Sequence, residues 1–523
     1  MATPIVSRLR AWLRLGERAG ARPGDRRFLV LVPVTGIFTG FAAVALVRLL
    51  ALVQKIFWGD GHHLLGAAFA LSPLHRLLAP AVGGLLVGFL ILAVRRPVGG
   101  HGTAGIIESV SRGGVLPLRG TFAGVAGTLL TVGSGGSLGR EAPLVQVGGA
   151  LGSSLGRRFG LSGQRLKILL ACGAASGIAA AYNAPIGGAL FGLEVLLGNF
   201  ALESFGPIVV STAIATLISR RLISAYPAYQ PPPEPSLISP WELGHYLLMG
   251  LLIGLASLLF MAVLRRTENA FARLPVPAWV RPAIGLLIVG AIGVRFPQVF
   301  GNGYDTVDLL LRGSIPIGLV LLLPWLKIAA TAVTAGCGGA GGMFTPTLFI
   351  GAMFGAAYGT WVHGLAPAAT AGPNAYALVG MGAMLAATTQ APLTAVLMIF
   401  ELTADYQILL PLMFACGIAI VVARLCGGTS LYTGRLAERG VRVGGRIEEL
   451  VMDTILVRDI VRRGAVTVGE TARLDQVMKR MIEDGRKEVF VVDVEGRFRG
   501  AITLAELSEH LERPADLASL TAG

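Results

Sequence analysis

The chain has 523 residues, of which 54% are hydrophobic and only 14% charged, with a mean hydropathy of +0.69. Soluble proteins carry about 25% charged residues, so a water-soluble globular body is excluded. The net charge of +14 does not mark a nucleic-acid binder. The basic residues gather at the ends of apolar runs and in the first stretch, at Arg8, Arg10, Arg14, Arg18, Arg22, Arg26 and Arg27, which is the positive-inside pattern of a membrane protein.

Residues 1–27 read as a cytoplasmic basic segment, in which SRLRAWLRLGERAG can lie on the membrane face as a short amphipathic helix. The first apolar run follows too long an Arg-rich lead, and is itself too long, for a removable signal peptide. Apolar stretches of about 16–26 residues recur at Phe28–Val53, Leu77–Val94, Leu247–Val263 and Ile408–Ala423. Each is long enough, or nearly so, to cross roughly 30 Å of hydrocarbon. Alternation of the barrel type is absent, so residues 28–433 are expected to form an all-α polytopic membrane domain.

Other apolar runs are short and broken by glycine: GTFAGVAGTLLTVGSGG, GGALGSSLG and AGCGGAGGMFTPTLFIGAMFG. Interrupted helices of this kind mark midplane binding sites, because freed backbone groups need protein or a water-filled path around them. The interruptions repeat. Gly139-Arg-Glu-Ala-Pro143 aligns with Gly342-Met-Phe-Thr-Pro346, and each proline is followed by glycines at offsets of about 5, 9 and 13. Asn183-Ala-Pro185 aligns with Gln390-Ala-Pro392, each followed about nine residues later by a glutamate, Glu194 or Glu401. Two ordered pairs imply a duplication, with halves near 28–220 and 240–433. The pattern does not say whether they are inverted.

GSGGSLGREAP places Arg140 and Glu141 at the start of an apolar stretch. A helix that begins inside a membrane leaves its first N–H groups unpaired, and with the helix dipole these make an anion site. Glycines let the backbone approach the ion, and Pro143 in the first turn costs no hydrogen bond. GGAGGMFTP is the twin start, and GGHGTAG a third. Glu141 is then an anion on a tether, able to fill the site when the ion is absent; an intramembrane carboxylate is costly and usually functional.

Cys172, Cys337, Cys416 and Cys426 show no metal-ligand spacing and read as inert thiols. The seven histidines form no paired cluster, so no metal site is expected. No nucleophile–base pairing or phosphate loop stands out, and an enzyme is not expected.

From about Arg435 charge becomes dense and apolar runs shrink to strand length. Residues 434–450 read as a linker and 451–523 as a small cytoplasmic α/β module. In it Leu474, Val477, Met478 and Met481 share a helical face, and VFVVD and AITLA are strands joined by the turn VEGRFRG.

These motifs together resemble the CLC family of chloride channels and proton-coupled chloride transporters. GREAP is similar to the family's GREGP, GMFTP to its GxFxP and GHGTAG to its GSGIP. YNAPIGGALFGLEV, QAPLTAVLMIFELT, ELTADYQILLPL and the tyrosine of GGTSLYTGRL follow in the expected order. The resemblance implies an inverted-repeat helical bundle with discontinuous helices, forming a homodimer with one anion pathway per subunit. It makes Glu141 the gating glutamate and proton acceptor. It gives the central anion to the amides of Met343 and Phe344 and to the Tyr432 hydroxyl, with Gly139, Arg140 and Gly342 at the pore-helix starts. His101 stands where the family's inner serine would be; histidine can donate a hydrogen bond or carry charge near neutral pH. Ala142 replaces a glycine. Proton-coupled members commonly have a second glutamate where this chain has Val195, and valine cannot relay a proton.

The tail resembles a CBS module in one clear copy, with Thr503 and Glu506 at the positions of a nucleotide signature, Glu506 replacing aspartate. The reading is a chloride-selective channel of the voltage-gated type in the cytoplasmic membrane, multi-pass with both termini cytoplasmic. Its expected partners are chloride, lipid and a second copy, without cofactor; an adenine nucleotide at the CBS module is doubtful on a single copy. A proton/chloride antiporter is the alternative, and a membrane-anchored sensor with a CBS output is the alternative of another class. The missing fluoride-type gating motif disfavours fluoride.

Overall fold

The glycine-rich starts singled out above are where the fold crosses itself. The computed structural model describes residues 23–95, 98, 102–226, 229, 237–434, 436 and 465–503. The chain divides into two units, Met1–Gly444 and Gly445–Gly523.

In the first unit one half contains α1 (Pro23–Trp58), α2 (Leu64–Ala70), α3 (Pro73–Val94), α4 (Gly102–Ser111), α5 (Leu118–Gly133), α6 (Glu141–Arg158) and α7 (Gly163–Tyr182). It closes with α8 (Pro185–Leu190), which runs on as a π-helix over Phe191–Leu197, and α9 (Leu202–Leu222). The second half contains α10 (Glu242–Arg273), α11 (Arg281–Arg295), α12 (Tyr304–Leu311), α13 (Ile317–Gly336), α14 (Phe344–Leu365), α15 (Pro373–Thr389), α16 (Pro392–Thr403) and α17 (Leu409–Leu425). Among the described residues, six helices are long and apolar enough to span a membrane: α1 from Arg26 on, α3, α7, α9, α10 and α13. Their outer faces carry exposed apolar side chains such as Phe41, Phe89, Leu252 and Trp325, which suits lipid rather than water. The apolar run Leu247–Val263 lies within α10, which continues through RRTENAFAR because arginine, alanine and glutamate are strong helix formers.

The halves are inverted. Gly139 and Gly342 exchange both backbone hydrogen bonds, each N–H donating to the other's carbonyl at 2.8 Å, as an antiparallel bridge. The flanking bonds repeat the symmetry: Ser137 N donates to Thr334 Oγ1 at 3.1 Å, and Ala340 N donates to Thr131 Oγ1 at 3.2 Å. Residues equivalent by sequence thus meet head to tail at the centre.

The helix pairs α6–α7 and α14–α15 pack along one another at backbone contact. A Cβ on Gly148 would strike the Gly173 carbonyl, and one on Gly351 would strike that of Gly380. Small residues at a crossing let dispersion act between backbones, the main source of helix association in lipid. Both α7 and α15 end in a left-handed residue, Asn183 at φ 61° and Gln390 at φ 59°, and Pro185 or Pro392 starts the next helix. The N-A-P and Q-A-P motifs are therefore a C-cap followed by a first-turn proline.

The two glutamates after those prolines are swapped between halves. Glu194 accepts from Leu393 N at 3.3 Å, Thr394 N at 2.7 Å and Thr394 Oγ1 at 2.7 Å, at the start of α16. Glu401 accepts from Ile186 N at 3.0 Å and Gly187 N at 2.7 Å, at the start of α8. Each carboxylate satisfies orphan amides of the other half's helix, where the dipole favours negative charge.

In the second unit β1 (Thr467–Gly469), α18 (Leu474–Glu483), β2 (Glu488–Val492) and β3 (Phe498–Thr503) form a sheet of order β1-β2-β3. β1 pairs parallel to β2, which needs the crossover helix, and β2 pairs antiparallel to β3. Val477, Met481 and Val489 form its buried centre, with Met478 packed against them, as the helical face predicted; the Leu474 side chain lies outside the described residues. Asp493 closes the β2–β3 turn, accepting from Glu495 N and Arg497 N at 2.9 Å each and from Arg497 Nε at 3.0 Å. These bonds, the Arg497 amide first, hold its carboxyl below the usual aspartate range.

Candidate functional site

The sequence SGGSLGR has no helical preference until Glu141, where α6 begins after Arg140 as N-cap. Its twin α14 begins at Phe344 after Met343 as N-cap. The bridge between Gly139 and Gly342 brings these two starts together. The Glu141 carboxylate, 2% exposed, lies at the first turn of α14. Its Oε1 accepts from Phe344 N at 2.7 Å and Thr345 N at 3.3 Å, and its Oε2 accepts from Thr345 Oγ1 at 3.0 Å. A Cβ on Gly139 or Gly342 would overlap that carboxylate, so glycine at both positions is what leaves room for an anion there. Hydrogen bonds to a charged group are worth about 1.5–3 kcal/mol each.

A cavity of about 70 Å³ adjoins the carboxylate on one side. It is lined by Gly102, Thr103 and Ala104 from the start of α4, by Glu141 and Ala142, by Gly342 and Met343, and by Tyr432. All three helix starts expected from sequence converge here. The amides that meet the carboxylate belong to Phe344 and Thr345; Met343, expected with Phe344 to hold the central anion, lines the adjoining cavity. Tyr432 is buried, edge-on to Phe191 with ring centroids 6.3 Å apart, and Thr103 is its hydroxyl's neighbour. Its segment is pinned to the end of α15: Leu431 N donates to Thr388 O at 2.8 Å, and Ser430 Oγ to Thr389 O at 2.9 Å.

On the other side a cavity of about 330 Å³ is lined by polar groups that include Arg140, His62, Tyr182, Asn183, Asn302 and Tyr304. The Arg140 guanidinium lies over the Tyr304 ring, 5.4 Å from its centroid. The lining of this cavity carries both charges: Arg140, next in sequence to Glu141, and Asp305.

Sequence reasoning missed Thr345, Tyr182 and Tyr304. The available signal was a hydroxyl in the helix start GMFTP and a tyrosine ending the small-residue run GIAAAY. It also missed Lys327, a fully buried lysine that donates to Val299 O at 3.0 Å and Gly301 O at 2.9 Å and lies 5.0 Å from the Phe349 ring. Val195 lies half-buried in the π-helical turn after α8. Thr503 ends β3. His101 and Glu506 lie outside the described residues. Among the described residues no group of histidine, cysteine or carboxylate side chains could hold a metal.

Residues 83–424 match the family described as voltage gated chloride channel, and residues 457–513 match the CBS domain. The chain is 41% identical over 415 residues to a ClcB-like chloride channel protein of Ralstonia nicotianae, covering 78% of this chain and 96% of the relative. It is 34% identical over 420 residues to the voltage-gated ClC-type chloride channel ClcB of Escherichia coli O157:H7, covering 79% of this chain and 99% of the relative. Among solved structures it resembles a slow cyanobacterial Cl⁻/H⁺ antiporter, with TM-score 0.72 and 26% identity, covering 81% of this chain and 99% of that one.

Proposed function

The chain belongs to the CLC family of chloride-transporting membrane proteins and carries a C-terminal CBS domain, and from that premise we propose that it conducts chloride passively through a pathway gated by Glu141. The observation that carries this reading is the seat of the Glu141 carboxylate, on the amides of Phe344 and Thr345 at the wall of the 70 Å³ cavity, while its neighbour Arg140 lines the 330 Å³ one. A chloride ion entering from the 70 Å³ side would meet the starts of α4, α6 and α14 and the Tyr432 hydroxyl, exchanging water for fixed dipoles. The carboxylate competes with that ion for the same donors, so conduction requires it to leave.

Passive conduction is favoured by what occupies the inner side. Val195 carries no proton. Glu194 beside it is engaged as a helix cap, accepting from two amides and a hydroxyl at the start of α16. With the basic N-terminus cytoplasmic, α1 ends on the outer face, so the cavity lined by Gln54, His62 and Arg140 is the external vestibule and the one lined by Thr103 and Tyr432 the internal one. The assembly is a pair of such chains, each with its own pathway.

The likeness to the cyanobacterial Cl⁻/H⁺ antiporter favours a second reading, in which Glu141 also carries a proton across. Reconstituted protein under opposed chloride and pH gradients separates the two. A reversal potential at the chloride equilibrium value, unmoved by pH, supports the channel; displacement toward the proton gradient establishes exchange.

A further inference from the structure

We propose that Thr345 and Tyr182 form a two-hydroxyl latch that holds ionised Glu141 across the pathway, so that the gate of this chain is retained by side chains as well as by backbone amides. The inference rests on the reading of Glu141 as the gate. Thr345 Oγ1 donates to Glu141 Oε2 at 3.0 Å, and the Tyr182 hydroxyl stands 3.0 Å from the same Thr345 oxygen. A hydroxyl has one proton. An ionised Glu141 takes that of Thr345, which leaves Thr345 only lone pairs for its other neighbour. Tyr182 must then be the donor, and the order Tyr182 to Thr345 to Glu141 is fixed.

All three groups are buried: Tyr182 is 2% exposed, Thr345 1% and Glu141 2%. Hydrogen bonds in series polarise one another in such surroundings, so the outer member strengthens the inner one. Tyr182 is itself held, its ring tilted against Phe344 with centroids 4.8 Å apart. It is the last residue of α7, fixed by the Asn183 cap, and it borders the 330 Å³ vestibule. The latch thus joins the gate on α6 to the ends of α7 and α14. The titratable groups facing Glu141 among the described residues are Arg140 on its own element, Tyr182 from α7, Tyr304 from α12 and Tyr432 from the segment after α17. Of these Tyr182 is the one whose hydroxyl meets Thr345, and Tyr304 stands behind it with ring centroids 6.5 Å apart. The latch acts on the charged carboxylate: protonation of Glu141 turns one oxygen into an O–H and leaves the other a weaker, uncharged acceptor, so the hydroxyls' hold loosens.

The test is chloride efflux from liposomes containing the full chain, at neutral and acid pH. Tyr182→Phe and Thr345→Val each remove one hydroxyl with little change of shape, and each is expected to raise neutral-pH flux about three- to tenfold. Thr345→Ser keeps the hydroxyl and is expected to behave as the parent. The double variant is expected to match Thr345→Val alone, since the two groups act in series, and neither change is expected to alter flux in a Glu141→Gln background. Additive effects, effects that persist with Glu141→Gln, or unchanged flux in Tyr182→Phe would overturn the latch. If Thr345→Val does not fold, Tyr182→Phe with and without Glu141→Gln decides alone. A Glu141→Gln protein that itself conducts as the parent does would instead remove the gate reading beneath it.

Discussion

The Glu141 carboxylate stands 2.7 Å from the amide of Phe344, a residue 203 positions away in the chain. The contact exists because the two helix starts are bridged at Gly139 and Gly342. Replacing Glu141 by glutamine puts a neutral amide, a weaker acceptor for N–H donors, where the carboxylate sat. Neutral-pH chloride flux in liposomes is expected to rise several-fold, and its increase on acidification to disappear.

The crossing of α6 and α7 leaves no space for a methyl group. Gly148→Ala would drive a carbon into the Gly173 carbonyl and displace the helix that carries Glu141. Overpacking of this kind costs about 1–3 kcal/mol. A thermal melt in detergent should show a lowered midpoint, and Gly351→Ala in the inverted half should lower it comparably.

Glu194 and Glu401 act as caps for each other's half. Glu194→Gln and Glu401→Gln keep an oxygen acceptor but lose the charge that faces a helix dipole, a loss of roughly 0.5–2 kcal/mol. Both should melt earlier. Neither should move the reversal potential; a shift in Glu194→Gln would show that this carboxylate takes part in proton movement.

Much of this was legible before any coordinates. The glycine–proline spacing located α6, α14 and their shared geometry, because a backbone anion site needs that chemistry whatever surrounds it. The strand and helix periods of the tail gave β2, α18 and β3. The inversion was hidden, since glycine spacing reads the same in either orientation; the antiparallel bridge between Gly139 and Gly342 reveals it. The hydroxyl pair was hidden as well. Thr345 and Tyr182 are 163 positions apart, and neither departs from an ordinary helix end in its own segment. The swap of Glu194 and Glu401 was missed for the same reason, though both glutamates were noted.

In the CBS domain, Asp493 gathers the β2–β3 turn with a carboxyl held below its ordinary range, chiefly by the Arg497 amide. A depressed folded value means stabilisation that is present above the unfolded value near 3.9 and is lost as pH falls through the folded one. The hydrogen-exchange protection factor over residues 488–503 in the full chain should therefore hold from neutral pH down to the aspartate range and fall below it. Asp493→Asn should show faster exchange already at neutral pH.

The two units have separate cores, and the residues proposed for the pathway all lie in the first. Truncation after Gly445 should therefore leave chloride flux in liposomes intact, the tail acting at most as a modulator. Loss of flux would instead favour a protein whose membrane part depends on its tail.

The bridge at Gly139 and Gly342 has a mechanical meaning. Its two paired amides tie equivalent points of the inverted repeats together and hold the starts of α6 and α14 side by side. In the proposed gating the part that travels is one acidic arm set between those two fixed starts, and the side chains around that arm are where a leak and a coupled exchange would part ways.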